Sequence, residues 1–523
     1  MTIRFHCFAV GLFLFAAAVF GRVVVAQPFA APPGQAIVPA VGVPPGGNTT
    51  TVGPGQGGSA QADFESLIDL IISTVAPDTW AENGGGEADI RPFPGGIYVD
   101  ADGTLALLNR DEQTRDIGLA RFAPPTKLAA GDPRRTAGLR CISLPRLERE
   151  IARRKQAREP LDHAMLTLAG LERVRYVIVL PDSGDLVLAG PAGDWRASSE
   201  GRIVSTRTGE PVVRLDDLLI LLRRDASSAG SPFGCSITPR QAGLAQTQTF
   251  LASHQDKPIA PGRRDLWLAD LRQALGKQEI ELFGIEPTSR AAHVLVEADY
   301  HMKLIGMGLA EGVTGMESYL DTIGLDQHGN PPTMNVLRWW FALNYRGLRS
   351  TPDGQAYEIV GEGAKVLSEN EMLSERGERI HTGVADELTQ QFAHSFTANF
   401  AKLCHKYTVY GELRNLFDLA LVVALIQQEG LAEQAGWSPE LFVDSKRLPV
   451  QQLHPPKQVE SVVNYRLLDR RHFVAGVSGG VWCDARELLS AKTEIETNRG
   501  GDLDYAREVA PPEDSRAWWW DAR

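Results

Sequence analysis

Residues 27–60 hold seven prolines, eight glycines and no charged side chain in 34 positions. A stretch of this kind has too little large apolar surface to repay the entropy of ordering it, so it cannot join a packed core. It reads as a flexible linker, which splits the chain into a short N-terminal segment and a body that must bury its own core. The body has the means to do so. With 523 residues, 43% hydrophobic and 23% charged, the chain suits roughly two to four domains of about 100 to 200 residues.

The segment ahead of the linker is "MTIRFHCFAVGLFLFAAAVFGRVVVAQ". A basic flank at Arg4, an apolar run from Cys7 to Phe20 and small residues leading to Ala26 make the pattern of a secretory signal peptide, cut after Ala26. The run is short for a membrane span of about 20 residues, and Arg22 interrupts it. Export to the periplasm or cell surface is therefore expected. No span is expected after cleavage, since the best later stretch, "LFDLALVVALI", is short and contains an acid.

Charge removes one class of partner. The formal charge is −12, and without Arg4 and Arg22 the chain keeps 51 basic against 65 acidic residues, or −14. Nucleic-acid binding rests on neutralising phosphates, so an acidic chain is not expected to bind nucleic acid. The basic run from Ala152 to Arg158 follows "LEREI" and reads as a solvated helix face.

The fold class expected is α+β, with mixed strands and hairpins packed against helices. A small helix-hairpin module is placed at 61–125, with a strand turning at Asp102-Gly103, and a mixed region at 126–245, where a second hairpin turns at Asp182-Ser183-Gly184. A helix-rich core region at 246–440 includes a long antiparallel helix pair near 383–430. Its apolar faces are Leu388, Phe392, Phe396 and Leu403 on one helix, and Leu413, Leu416, Phe417, Ala420, Leu421 and Ala424 on the other. A strand and helix region fills 441–500, where Asp484 and Glu487 mark a capping box. Residues 501–523 form a tail whose Trp518 to Trp520 are costly to expose and should dock at home.

Several chemistries fail on spacing. Cys141, Cys235, Cys404 and Cys483 are too far apart for a zinc ribbon or a redox pair; they allow up to two disulfides in three pairings, or four buried thiols. "GVSGG" fits the G-x-S-x-G elbow around Ser478, but extended residues follow the serine and no histidine lies beyond His472. His394 and His405, 11 residues apart on a helix, stand about 16 Å apart and cannot share an ion. No metal site and no cofactor site is expected.

What remains is "AHVLVEADYHMKLIGMGL". Alternation along 293–298 predicts a strand, followed by a helix capped by Asp299 and buried on most of its circumference. Lys303 is the lone charge in that helix and needs a carboxylate, supplied by Asp299 or Glu297. Glu297, Asp299, Tyr300 and Lys303 are the candidate catalytic residues, with a carboxylate tuned by Lys303 as acid or base. The competing reading makes the same charges a clamp at a strand-to-helix junction.

"VLVEADYHMKLIGMGL", "RWWFALNY", "EGAKVLSENE", "ELRNLFDLALVVALI" and "VAGVSGGV" together resemble an uncharacterised family of exported planctomycetal proteins, a domain of unknown function, over about 165–490. Upstream, "DFESLIDLIISTVAPDTWAENGGG" is similar to a short module that precedes secretin-like exported proteins, and the chain departs from it after "VDADGTL". The resemblance implies export and a core of many elements, and no catalytic residue. The function expected is a non-catalytic binding or structural module whose partner is an envelope protein or wall component. A hydrolase built on the quartet and a secretion-system accessory are the alternatives.

Overall fold

The computed structural model describes residues 89–93, 96–100 and most of 131–522, the longer omissions being 225–230, 255–258, 325–335, 374–378, 490–495 and 498–509. The expected leader and linker, the helix of the expected 61–125 module and the turn at Asp102-Gly103 lie outside the described residues. The strand before that turn is present, but it pairs with the chain ahead of it: β1 (Asp89–Phe93) and β2 (Gly96–Asp100) are antiparallel.

Alternation of apolar and polar residues in "VLRWWFALNY" builds the spine of the body. β10 (Val336–Ser350) pairs antiparallel with β11 (Ala356–Leu373) along almost its whole length, and Leu337, Trp339 and Phe341 bury one face completely or nearly so. Around this pair the described residues form a mixed sheet of thirteen strands. On one side of β10 lie β15 (Arg471–Cys483), β8 (Phe233–Pro239), β9 (Lys277–Phe283) and β13 (Gln458–Glu460); beyond β11 lie β4 (Tyr176–Leu180), β5 (Asp185–Ala192), β3 (Ala137–Ser143) and β17 (Trp519–Asp521). β12 (Arg379–His381), β14 (Val463–Leu468) and β16 (Glu496–Thr497) branch from β11, β15 and β10, and β6 (Trp195–Ala197) pairs separately with β7 (Ile203–Ser205). The ladders of this sheet are antiparallel except where β10 meets β15 and β16. The α+β class holds, and β4 and β5 turn at Asp182-Ser183-Gly184 as expected.

The helices that matter for the site are α1 (Leu144–Ala157), α2 (Leu215–Leu222), α3 (Gln241–His254), α4 (Arg264–Leu275), α5 (Arg290–Gly306), α6 (Glu387–Ala398), α7 (Phe400–Lys406), α8 (Thr408–Gln428) and α9 (Ala485–Leu489). The 383–430 stretch is helical, and its chain turns at Asn399 and Tyr407, so three helices share it. Their aromatic residues meet on the sheet: Phe396 of α6 sits edge-on to Tyr410 of α8 at 5.3 Å, and Phe341 of β10 faces Phe396, Phe400 and Tyr410 at ring separations of 5.7 to 6.3 Å. α8 is buried from Val409 to Ile426 on nearly every side. A helix buried all round must satisfy its polar residues inside, and Asp418 accepts from Arg173 (Nε, 2.8 Å) and Tyr345 (Oη, 2.7 Å). The basic run at 152–158 closes α1 as a solvated face, where Arg153 and Arg154 pair with Glu150.

The tryptophan run docks at home. Trp519 and Trp520 belong to β17, which pairs with β3, and Trp518 is buried. Two buried arginines hold the tail. Arg140 donates to both Asp521 oxygens at 2.8 and 3.1 Å and lies over the Trp519 ring; Arg146 pairs with Asp185 and donates to the carbonyls of Pro512 and Asp514. Among the described residues the cysteines Cys141, Cys235, Cys404 and Cys483 are buried thiols, not disulfides, and burial pushes Cys141 and Cys404 up to about 12.

Deleting residues 517–523 removes the carboxylate from a fully buried guanidinium and uncovers the edge of β3. Chemical denaturation should show a loss of about 3 to 5 kcal/mol. An unchanged midpoint would mean that β17 does not carry the contact described.

Candidate functional site

The stretch from Arg290 to Gly306 is one helix, α5, and not a strand followed by a helix. Ser289, not Asp299, caps it, its hydroxyl oxygen accepting from the Ala292 N–H at 3.1 Å. The expected strand fails for a physical reason. Residues 290, 293, 297, 300, 301 and 304 are the partly exposed ones, spaced for a helical stripe, while Val294, Leu295, Val296, Ala298, Asp299, Met302 and Lys303 are buried around the rest. On a helix buried on nearly every side, a short window mixes buried and half-exposed positions in a way that mimics alternation.

The quartet divides over this helix. Asp299 and Lys303, one turn apart, are both fully buried with Oδ2 and Nζ 2.6 Å apart. Nζ also donates to the Ile237 carbonyl of β8 at 3.3 Å. Burial raises the Asp299 carboxyl and Lys303 opposes that rise. Gly479 of β15 closes the pair off: a Cβ there would lie 1.9 Å from the Trp339 carbonyl, 2.9 Å from Lys303 Cε and 3.0 Å from Asp299 Oδ1. The glycines of "GVSGG" therefore let a strand approach a helix, and this explains the motif without an elbow. Ser478 lies within β15, fully buried, and its hydroxyl donates to Glu371 Oε2 at 3.2 Å.

Glu297 faces the other way. Its carboxylate pairs with Arg202, and its second oxygen lies 3.5 Å from His293 Nε2. From Arg202 the charges continue inward through Glu412 of α8 to Arg290 and then Asp217 of α2. Burial works against the Arg290 charge, and the Asp217 and Glu412 carboxylates outweigh it, raising its pKa. Tyr300 stands apart, half-buried near Glu460 and Arg272; burial first, then Glu460, raises its phenol. Of the four predicted residues, then, the structure brings together only Asp299 and Lys303. Both are sealed from solvent, so neither can touch a substrate in this conformation.

Two groups escaped the sequence reading. His301 donates or accepts through Nδ1 with the Tyr410 hydroxyl at 2.8 Å and packs against Tyr407; burial, then the charges of Lys406 and Arg202, lowers its pKa to about 4. Glu369, Glu371 and His381 meet across β11 and β12, a cluster that one signal foreshadows: two glutamates two apart on a strand share a face. His405, by contrast, pairs with Glu210 at 2.7 Å, and His394 is exposed.

Two measurements test this geometry. Lys303→Met alone leaves a buried carboxylate without its cation and should cost about 3 to 5 kcal/mol, whereas Asp299→Leu/Lys303→Met should recover most of that loss. Urea unfolding of both variants decides it, and a single variant no weaker than the double would remove the clamp. His301 stays neutral in the folded chain down to about pH 4, against 6.5 ordinarily. Between those values the unfolded chain binds a proton that the folded chain refuses, so stability is whole above about pH 6.5 and falls toward pH 4. The His301→Gln variant should lose about 2 kcal/mol less than the parent between pH 7 and 4.5.

Among the described residues no helix is long and apolar enough to cross a membrane. No curated protein and no solved structure matches the chain. A family model described as a protein of unknown function (DUF1598) matches residues 235–319. That span is narrower than the 165–490 of the expected resemblance. It runs from β8 through α5 and contains both members of the buried ion pair, so an uncharacterised domain covers the centre of this site.

Proposed function

We propose that the protein is exported and serves in the cell envelope as a non-catalytic binding or structural body that follows a Pro/Gly-rich linker. The observation that carries the non-catalytic reading is the Asp299–Lys303 pair, whose charges satisfy one another at 2.6 Å with no exposure. A general acid or base must reach a substrate atom within hydrogen-bonding distance. Glu297, the most exposed carboxylate of the quartet, is committed to Arg202 and His293 and has no second reactive group of the quartet beside it.

Support for export comes from residues 1–26, with a charged start, an apolar run and small residues before Gln27. Residues 27–60, which follow, carry no charge and read as a linker ahead of the body. An acidic body suits a partner that offers cationic or neutral polar groups, and it disfavours polyphosphates. Envelope protein and wall polymer both fit that description.

The test has two arms. Cells producing the protein are fractionated and its N-terminus sequenced; recovery outside the cytoplasm with Gln27 first is expected, and cytoplasmic protein with its leader intact would overturn export. Sedimentation with isolated envelope is then compared for the parent and the Asp299→Leu/Lys303→Met double variant. Equal retention is expected. A folded double variant that loses retention would move the function onto the pair.

A further inference from the structure

The spine of the sheet carries a second cluster of charged groups, on the face opposite α5. Alternation along β10, β11 and β15 places Leu337, Trp339 and Gly479 toward the helix and Arg338, Glu369, Glu371 and Ser478 on the reverse. β12 then adds His381, which lies directly across from Glu371 in the antiparallel ladder. One nitrogen and two carboxylate oxygens from these three residues all lie within 4.8 Å of one another.

The orientation of each side chain is constrained. Glu369 accepts from the Gly383 N–H through Oε1 at 2.7 Å, which turns Oε2 toward His381 Nδ1 at 3.4 Å. Glu371 accepts from the Ser478 hydroxyl through Oε2 at 3.2 Å, which turns Oε1 toward the same Nδ1 at 3.1 Å. Each carboxylate thus has one oxygen anchored by a donor and the other aimed at a shared point. Metal ligands are oriented in this way by their outer hydrogen bonds. Bonds of about 2.1 Å at a tetrahedral or octahedral centre set neighbouring ligand atoms about 3.0 to 3.4 Å apart. The observed separations of 3.1 and 3.4 Å fall on that range.

We propose that Glu369, Glu371 and His381 form a binding site for a divalent first-row transition-metal cation, with open coordination positions on the side of His381. One imidazole and two carboxylates suit zinc, manganese or ferrous iron better than the all-oxygen shells of calcium or magnesium. The two glutamates and the His381 Nδ1 atom are buried, whereas the His381 side chain as a whole is 43% exposed, so an ion enters from that side when the imidazole swings outward. Arg338 is the competitor. Its Nη1 lies 3.0 Å from Glu369 Oε2 and its Nε 3.9 Å from Glu371 Oε1, while the guanidinium rests over the Trp340 ring at 4.6 Å. A cation displaces the Nη1 contact, and the ring continues to hold the guanidinium. The proposal is independent of export, since it concerns the reverse face of the sheet.

Isothermal titration of the full-length protein with zinc chloride tests it, alongside His381→Ala and Arg338→Gln. His381 is half-exposed, so its variant should keep the parent's unfolding midpoint in the absence of metal. One zinc per chain is expected in the parent, at least about tenfold weaker binding in H381A, and tighter binding in R338Q, where the competing charge is gone. Zinc should raise the thermal midpoint of the parent and of R338Q and leave that of H381A unmoved. Absence of zinc binding in both the parent and R338Q, or equal binding by the parent and H381A, would overturn the site.

Discussion

The centre of this fold depends on a charge pair that water cannot reach. Removing an ammonium and a carboxylate from solvent costs several kcal/mol per ion, and only close contact with further hydrogen bonds offsets that cost. Asp299 and Lys303 meet the demand by standing one helical turn apart at 2.6 Å, with the Ile237 carbonyl as an additional partner of the ammonium and Gly479 packed against both side chains. Those partners sit on β8 and β15, so the pair fixes how closely α5 approaches two strands of the sheet. The approach leaves no room for side chains at the contact. Gly479 lies against the pair itself, and Gly306, at the end of α5, lies where a Cβ would come within 2.3 Å of the Trp339 ring.

Arginine does the joining elsewhere. Arg140, Arg146, Arg173 and Arg290 each make forked contacts with a carboxylate, and every one of these pairs links segments far apart in sequence. A planar guanidinium with five donors can satisfy a carboxylate and a carbonyl at once, which a lysine cannot. Among the described residues cysteine plays no such part, since Cys141, Cys235, Cys404 and Cys483 are buried and unlinked. The body is therefore sewn together by charge-assisted hydrogen bonds laid over a large apolar core. An acidic chain of this kind carries much of its positive charge inside or half-inside, where it is already committed.

Much of the helix content was legible because it depends on local pattern. The apolar stripes of residues 387–428, the hairpin at Asp182-Ser183-Gly184 and the cap at Asp484, which accepts from the Glu487 N–H at 3.0 Å, all follow from spacing over a few residues. The need of Lys303 for a carboxylate was legible too, and Asp299 supplies it. The element carrying them was misread, because α5 is buried on most of its surface and its exposed stripe is narrow. Asp299 then looked like a cap and Glu297 like a partner, although on a single helix Glu297 points toward Arg202 and away from Lys303.

By itself the sequence determined what local chemistry can decide. It argued against a serine elbow and a zinc ribbon by spacing alone, and required that one lysine be paired. Only the tertiary structure decided which distant residues share a face. Glu371 meets His381 through strand register, Ser478 reaches Glu371 across β10, and Asp521 finds Arg140 from 381 residues away. Pairing of strands is set by the packing of whole sheets, and no spacing in one segment records the register it will take against another.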